Sequence, residues 1–167
     1  MHTRAFDNAS LGRLVIVRCL ADGDTTTVAE LFERLGPASR ALRFHAAKPR
    51  LTPGELEALA KVDADHHVLV AYVDGDPLPA AMARVVRKAD DRSAGEIAFE
   101  VADVYQRLGI GRQLLELLLG DARAAGLERL DAVVETCNRA ALGLLRRVLG
   151  TTAIRVVGSE TIVAAGV

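Results

Sequence analysis

Two neighbouring stretches carry residue types suited to chemistry. Within Val101–Leu119, an apolar strand-like run ends in Gln106-Arg107-Leu108-Gly109-Ile110-Gly111-Arg112 and passes into a strongly apolar helix. Such a junction gathers several backbone N–H groups and the positive end of a helix dipole at one spot. Two glycines keep side chains clear of it, which suits a diphosphate. Just upstream, strand alternation places Glu96, Ala98 and Glu100 on one face and Ile97, Phe99 and Val101 on the other. Two acids on one face of an apolar, central strand are costly to bury without a purpose. Each would raise the other's pKa, which suits a base working near neutral pH.

Plainer explanations exist for both stretches. Glycines before a helix also serve simply to make a tight turn, and either glutamate can be an exposed strand-face residue or a partner for Arg84. Two other phosphate loops are excluded. No Lys-Ser or Lys-Thr follows Gly111 to hold terminal phosphates and magnesium. A dinucleotide loop would follow the first strand, with an acid about 20 residues on, whereas this loop follows the fourth.

The elements that must position these residues are legible from periodicity. Arg13–Leu20 is a first strand, and Asp24 and Thr25 cap a helix over Thr26–Leu35 that Gly36-Pro37 ends. A short helix is expected over Ser39–Phe44, and another over Thr52–Val62, where Thr52 and Glu55 form a capping box around Pro53. His67–Val73 and Leu78–Lys88 are strands joined by the turn Asp74-Gly75-Asp76-Pro77, and Gly95–Ala102 is the fourth strand. A helix over Gly109–Ala125, a fifth strand over Leu127–Glu135 and a helix capped by Asn138 follow. Strands near Ala153–Val157 and Glu160–Ala164 close the chain. That order predicts a mixed α/β fold with one strand–helix–strand crossover. Residues 1–167 read as one domain, with 1–12 a flexible N-terminal segment.

Composition removes several function classes. Half the residues are hydrophobic and spread along the chain, so it folds; the net charge of −1 and sparse aromatics argue against a nucleic-acid partner. No apolar run reaches the length of a membrane span, and the N-terminus lacks an apolar signal core, so a cytoplasmic protein without a membrane partner is expected. Cys19 and Cys137 are too few for a disulfide framework and read as buried free thiols. The basic run Arg84–Lys88 reads as solvated faces or strand edges. His66 and His67 read as structural or exposed, and no histidine spacing matches a metal-ligand set, so no metal is expected.

The pattern Val101-x-Asp103-x-Tyr105-Gln106-x-x-Gly109-Ile110-Gly111 resembles the acetyl-CoA signature of the GNAT superfamily of acyltransferases. Glu135-Thr136-Cys137-Asn138-Arg139, followed by Leu144-Leu145, resembles that superfamily's second cofactor motif. Ser39-x-x-x-Arg43-Phe44, then Lys48-Pro49-Arg50-Leu51-Thr52 with Glu55-Leu56, resembles the substrate-side segment of bacterial protein lysine acetyltransferases, and Gly95-Glu96-Ile97-Ala98-Phe99 their fourth strand. In that group the domain is often fused to a regulatory or synthetase-like module, and none is evident in this sequence.

The resemblance implies a GNAT fold: a central mixed, mostly antiparallel sheet of six to seven strands flanked by helices, its fourth and fifth strands splayed. It implies acetyl-CoA as co-substrate, with the diphosphate on the amides of Arg107, Leu108, Gly109, Ile110, Gly111 and Arg112 after Gln106. The pantetheine arm would run along Phe99–Val101, Asn138 would contact it from the other side, and Arg147 would reach a phosphate. A backbone N–H near Val101 would meet the oxyanion. The implied reaction is direct acetyl transfer in a ternary complex, with Glu96 as general base and Glu100 as substrate-orienting or substitute base. Arg43, Phe44 and His45 would line the acceptor groove. The helix after Asn138 has no tyrosine, so the leaving thiolate would take its proton from solvent. The acceptor is expected to be a protein lysine; the alternatives are a small amine, or a catalytically weak acyl-CoA-binding regulatory module. A homodimer is possible, with the apolar run Thr161–Val167 either pairing with another chain or closing the sheet.

Overall fold

The computed structural model describes residues 3–150 and 153–167. Strands β1 (Arg4–Asn8) and β2 (Arg13–Cys19) lead into helices α1 (Thr25–Glu33), α2 (Pro37–Phe44) and α3 (Pro53–Ala60). Strands β3 (His66–Val73), β4 (Pro79–Arg87) and β5 (Ala94–Val101) follow. A 3-10 turn over Asp103–Tyr105 then precedes α4 (Ile110–Ala124). The chain closes with β6 (Arg129–Glu135), α5 (Arg139–Leu149), β7 (Ala153–Val157) and β8 (Glu160–Gly166). The expected mixed α/β architecture is present, with an eight-stranded sheet in the order β1-β2-β3-β4-β5-β6-β8-β7.

The strand missing from the sequence reading is β1. Residues 1–12 were expected to be a flexible segment, yet Arg4–Asn8 pairs with β2 from Arg4↔Val17 to Asn8↔Arg13. The segment has no apolar run of its own. It is held instead by Phe6 against the core and by Arg4, which makes a two-pronged contact with Asp121 of α4 at 2.8 and 2.7 Å. Met1 and His2 lie outside the described residues.

Two apolar layers clamp the sheet. On one side α4 buries Ile110, Leu114, Leu115, Leu118 and Ala122 against Val15, Val17, Leu69, Ala83 and Leu130. Fully burying a side chain of this size stabilises by about 1.5–3 kcal/mol. On the other side α1 and α3 cover Val68, Val70 and Met82 with Val28, Leu31 and Ala60. The predicted capping box starts α3: Thr52 accepts from the Glu55 amide, and Glu55 accepts from the Thr52 amide.

Several expectations about single residues are overturned. Arg84 is buried, and its guanidinium donates to the Leu59 carbonyl near the end of α3. A cation there offsets the negative end of that helix, while burial pushes the Arg84 pKa down. Arg87 donates to the Arg92 and Ala125 carbonyls, and Lys88 pairs with Asp131. The basic run is therefore a set of tertiary contacts and not a solvated face. Cys19 is half-buried and Cys137 exposed, not both buried. The last strand, by contrast, closes the sheet, one of the two outcomes expected for it: β8 lies between β6 and β7. Among the described residues no helix is long and apolar enough to cross a membrane.

Candidate active site

The expected splay lies between β5 and β6. They pair in parallel only through Ala94↔Arg129, Gly95↔Leu130 and Glu96↔Asp131. Beyond Glu96, β5 keeps β4 on one side and leaves its other edge open. Lys88 N–H donates to the Ala94 carbonyl and Ala102 N–H to the Ala80 carbonyl, so even-numbered residues of β5 bond toward β4. By alternation, the amides and carbonyls of Ile97, Phe99 and Val101 face the gap. Phe99 and Val101 pack their side chains on the α4 layer, so what they offer to the gap is backbone.

The glycine loop closes one end of this gap. Arg107 sits at φ 62° and Gly109, the N-cap of α4, at φ 85°, with no side chain capping the helix. Among the described residues, the N–H groups from Arg107 to Arg112 meet no protein acceptor. A run of open donors at a helix N-terminus is a fit for a diphosphate. Gly111 is closely packed: a Cβ there would lie 3.2 Å from Val101 Cγ2 and 3.4 Å from Leu144 Cδ2, so these side chains would have to give by a few tenths of an ångström. Ile110 is fully buried and contributes backbone only, and Leu108 is half-buried. Arg112 is exposed and bonded to Glu116 at 2.8 Å.

Gln106, the first residue of the loop expected to bind the cofactor, has its side chain committed to the protein. Its side-chain amide donates to Val101 O, Ser39 Oγ and Asp103 Oδ1, each at 3.1 Å, so it braces the loop against the end of β5. Asn138 caps α5 as predicted, its Oδ1 accepting from Ala141 N–H at 3.1 Å, which leaves its NH2 uncommitted to the cap. Leu144 of the same helix touches the Gly111 position, and Arg147 stands exposed one turn further on.

The two acids part company. Glu96 is exposed at the apex where β5 and β6 separate. Glu100, about 13 Å along the strand, is largely buried with Oε2 2.5 Å from Arg43 Nε. The two acids therefore share neither burial nor mutual repulsion: one is solvated and the other is neutralised by arginine. Arg43, expected to bind the acceptor, is occupied by Glu100. Phe44 packs edge-on against Phe32 with ring centroids 5.7 Å apart, which fixes α2 on α1. His45, at φ 57°, places Nδ1 3.2 Å from Glu135 and 3.1 Å from Glu160. One ligand-type atom from each of these three residues falls within 4.8 Å of the others. Glu135 and Glu160 are directly opposed on β6 and β8, a like-charge pairing that a cation relieves. Helix α2 thus spans the splay, held to β5 by Arg43 and to β6 and β8 by His45.

Sequence reasoning missed Asn8, Asp76, Glu135 as an acid, and Glu160. In the sequence Asp76 is marked only as a turn residue. Its carboxylate accepts from Arg34 and from the Tyr105 hydroxyl, both at 2.7 Å. Arg34 foremost, and Tyr105 after it, hold its pKa down to about 2, while burial pushes that of Tyr105 up. The Tyr105 hydroxyl is committed to this contact. His66 and His67 are structural, bonded to Asp63 at 2.7 Å and Asp121 at 2.8 Å.

Comparison with known proteins bears on the family and the fold. The family model described as "Acetyltransferase (GNAT) family" matches residues 28–151. An acetyltransferase of Pseudomonas aeruginosa is 29% identical over 132 residues, covering 77% of this chain and 70% of its own length. The acetyltransferase Pat of Mycolicibacterium smegmatis is 35% identical over 114 residues, 68% of this chain and 34% of its own, so the chain spans about a third of that relative. The GNAT domain of S. lividans PAT superposes with a TM-score of 0.89, covering 99% of this chain and 97% of its own at 22% identity, a likeness of fold.

Proposed function

From the premise that this chain belongs to the GNAT family of acetyltransferases, acetyl-CoA-dependent enzymes, we propose that it acetylates lysine side chains of proteins, with Glu96 as general base. The observation that carries this reading is the placing of Glu96. It is an exposed carboxylate at the apex of the splay, on the strand whose other end meets the row of open amides. A base at the surface suits an acceptor presented on a long, flexible stem from another macromolecule.

Acetyl-CoA supplies an activated acyl carbon and a thiolate leaving group. The amides of Arg107–Arg112 hold its diphosphate, the open edge at Phe99 and Val101 aligns its arm, and Asn138 and Arg147 complete the donor side. A lysine ammonium, with an ordinary pKa near ~10.4, is inert until Glu96 takes its proton. The N–H groups that β5 leaves open between Glu96 and the loop are available to the carbonyl oxygen as it gains charge. Solvent protonates the departing thiolate, because the Tyr105 hydroxyl is bonded to Asp76 and α5 carries no tyrosine. Glu100 serves by fixing Arg43, and through it α2, beside the acceptor path. Residues 1–167 form one acetyltransferase domain in this reading, and a homodimer would pair through β7, where Ile154, Val156 and Val157 are exposed.

The test is thiol release from acetyl-CoA in the presence of a lysine-containing peptide. Glu96→Gln is expected to lose at least about tenfold in kcat/KM with CoA affinity unchanged; unaltered turnover removes Glu96 from the role. A second reading, a small cationic amine as acceptor, draws on the ≈ 410 Å³ cleft beside Glu135, Cys137 and Ser159. Small amines outcompeting lysine peptides in the same assay would favour it.

A further inference from the structure

Asn8 is one of the few buried polar residues, 4% exposed, and it lies 100 positions from the residue it holds. Its Nδ2 donates to the Leu108 carbonyl at 2.9 Å and to Gln113 Oε1 at 3.2 Å. Its Oδ1 accepts from Leu11 N–H at 3.1 Å, and its own carbonyl accepts from Leu11 and Gly12 N–H. The amide is thus clamped at both ends by groups that belong to different parts of the chain. At the other end of β1, Arg4 grips Asp121 further along α4. The strand is a strap laid along that helix, and Asn8 is its buckle at the loop.

We infer that Asn8 is a positioning residue for the diphosphate, acting through the peptide between Leu108 and Gly109. A trans peptide is planar, with its C=O and N–H pointing in opposite directions. Fixing the Leu108 carbonyl toward Asn8 therefore turns the Gly109 N–H away from it, where it meets no protein acceptor. The flanking backbone needs this hold. Arg107 at φ 62° is unfavourable for a side-chain-bearing residue, and Gly109 at φ 85° is free to rotate if released. Gln113, bonded to the same Nδ2, ties the setting to the first turn of α4. The inference rests on the reading that Arg107–Arg112 hold the diphosphate.

The experiment uses the full chain with two probes: CoA, titrated calorimetrically, and S-acetylpantetheine, an acyl donor with no diphosphate. Asn8→Asp removes the donor and keeps the acceptor for Leu11; Asn8→Ala is the second variant if the first fails to fold. The Kd for CoA is expected to rise about tenfold, the scale of a lost hydrogen bond with a carbonyl left unpaired, while the KM for S-acetylpantetheine stays as in the parent. Equal loss with both probes, or no loss with either, overturns the inference. Gly111→Val separates it from the reading beneath. If that variant weakens CoA alone and the Asn8 variants do not, only the role of Asn8 falls. If Gly111→Val also spares CoA, the loop reading falls and takes the role of Asn8 with it.

Discussion

The donor side and the acceptor side of the splay are built from different materials. The donor side is mostly backbone: open amides from Arg107 to Arg112, a glycine closely packed by Val101 and Leu144, and the free edge of β5. The acceptor side is mostly charged side chains from distant elements, Arg43 on Glu100 and His45 between Glu135 and Glu160. A backbone site binds one invariant ligand group and admits little substitution. A side-chain site can change partners with single replacements while the fold stands. The same division is expected between what the enzyme holds constant, its acyl donor, and what distinguishes it, its acceptor.

The division can be broken by substitution. The largest effect is expected from Gly111→Val, which drives a branched side chain into Val101 and Leu144. Strain at this position falls on the backbone of the loop's open amides, and CoA affinity should fall on the order of thirtyfold by calorimetry, with the acceptor KM measured at saturating donor little changed. Arg43→Ala should do the reverse, raising the acceptor KM about tenfold because the Glu100 charge is left buried and unpaired beside α2, with CoA affinity intact. A loss of CoA affinity in Arg43→Ala would show that the two sides are not separable.

Smaller effects sharpen the picture where the sides meet. Asp76 joins them, since Arg34 leads from α1 toward α2 and Tyr105 belongs to the turn before the loop. Its folded pKa of about 2 lies below the unfolded value near ~3.9. Its contribution, on the order of 1–2 kcal/mol, is therefore complete above the unfolded pKa and lost as pH falls from about 4 toward 2. Denaturant titration across that window should show the slope, and Asp76→Asn should flatten it. The smallest change is expected for Glu116→Gln, which opens the exposed pair with Arg112 and should cost below about 0.5 kcal/mol in the same titration.

What could be read from the sequence follows the same line. The loop, the capping box at Thr52, the Asn138 cap and the alternation of β5 all depend on residues within a few positions of one another, and the structure contains each of them. The acceptor side depends on pairs 57 to 115 residues apart, such as Arg43 with Glu100 and His45 with Glu160. No local pattern marks such pairs. Glu135 was visible only as the start of a motif, and its opposition to Glu160 is set by strand register. Burial of Glu96 was expected from its place on a central strand. The splay removes the neighbouring strand just past that residue and lets solvent reach it. The strand β1 escaped notice because Asn8 and Arg4 hold it by polar contacts, which leave no hydrophobic period.

The three residue pairs between β5 and β6 have a mechanical meaning as well. Among the described residues they are the only ladder joining a five-stranded block, β1 to β5, to a three-stranded block, β6, β8 and β7. A sheet of this width is notched there, and α4 and the α2 bridge carry the load that missing ladder bonds would share. A donor arm lying in the notch would act as a temporary ninth strand, stitching the blocks along Phe99 and Val101. Amide exchange at Phe99 and Val101 should then slow on CoA binding, while exchange within β2, β3 and β4 stays as it was. The protein would be stiffest across its middle at the moment its acyl group is in place.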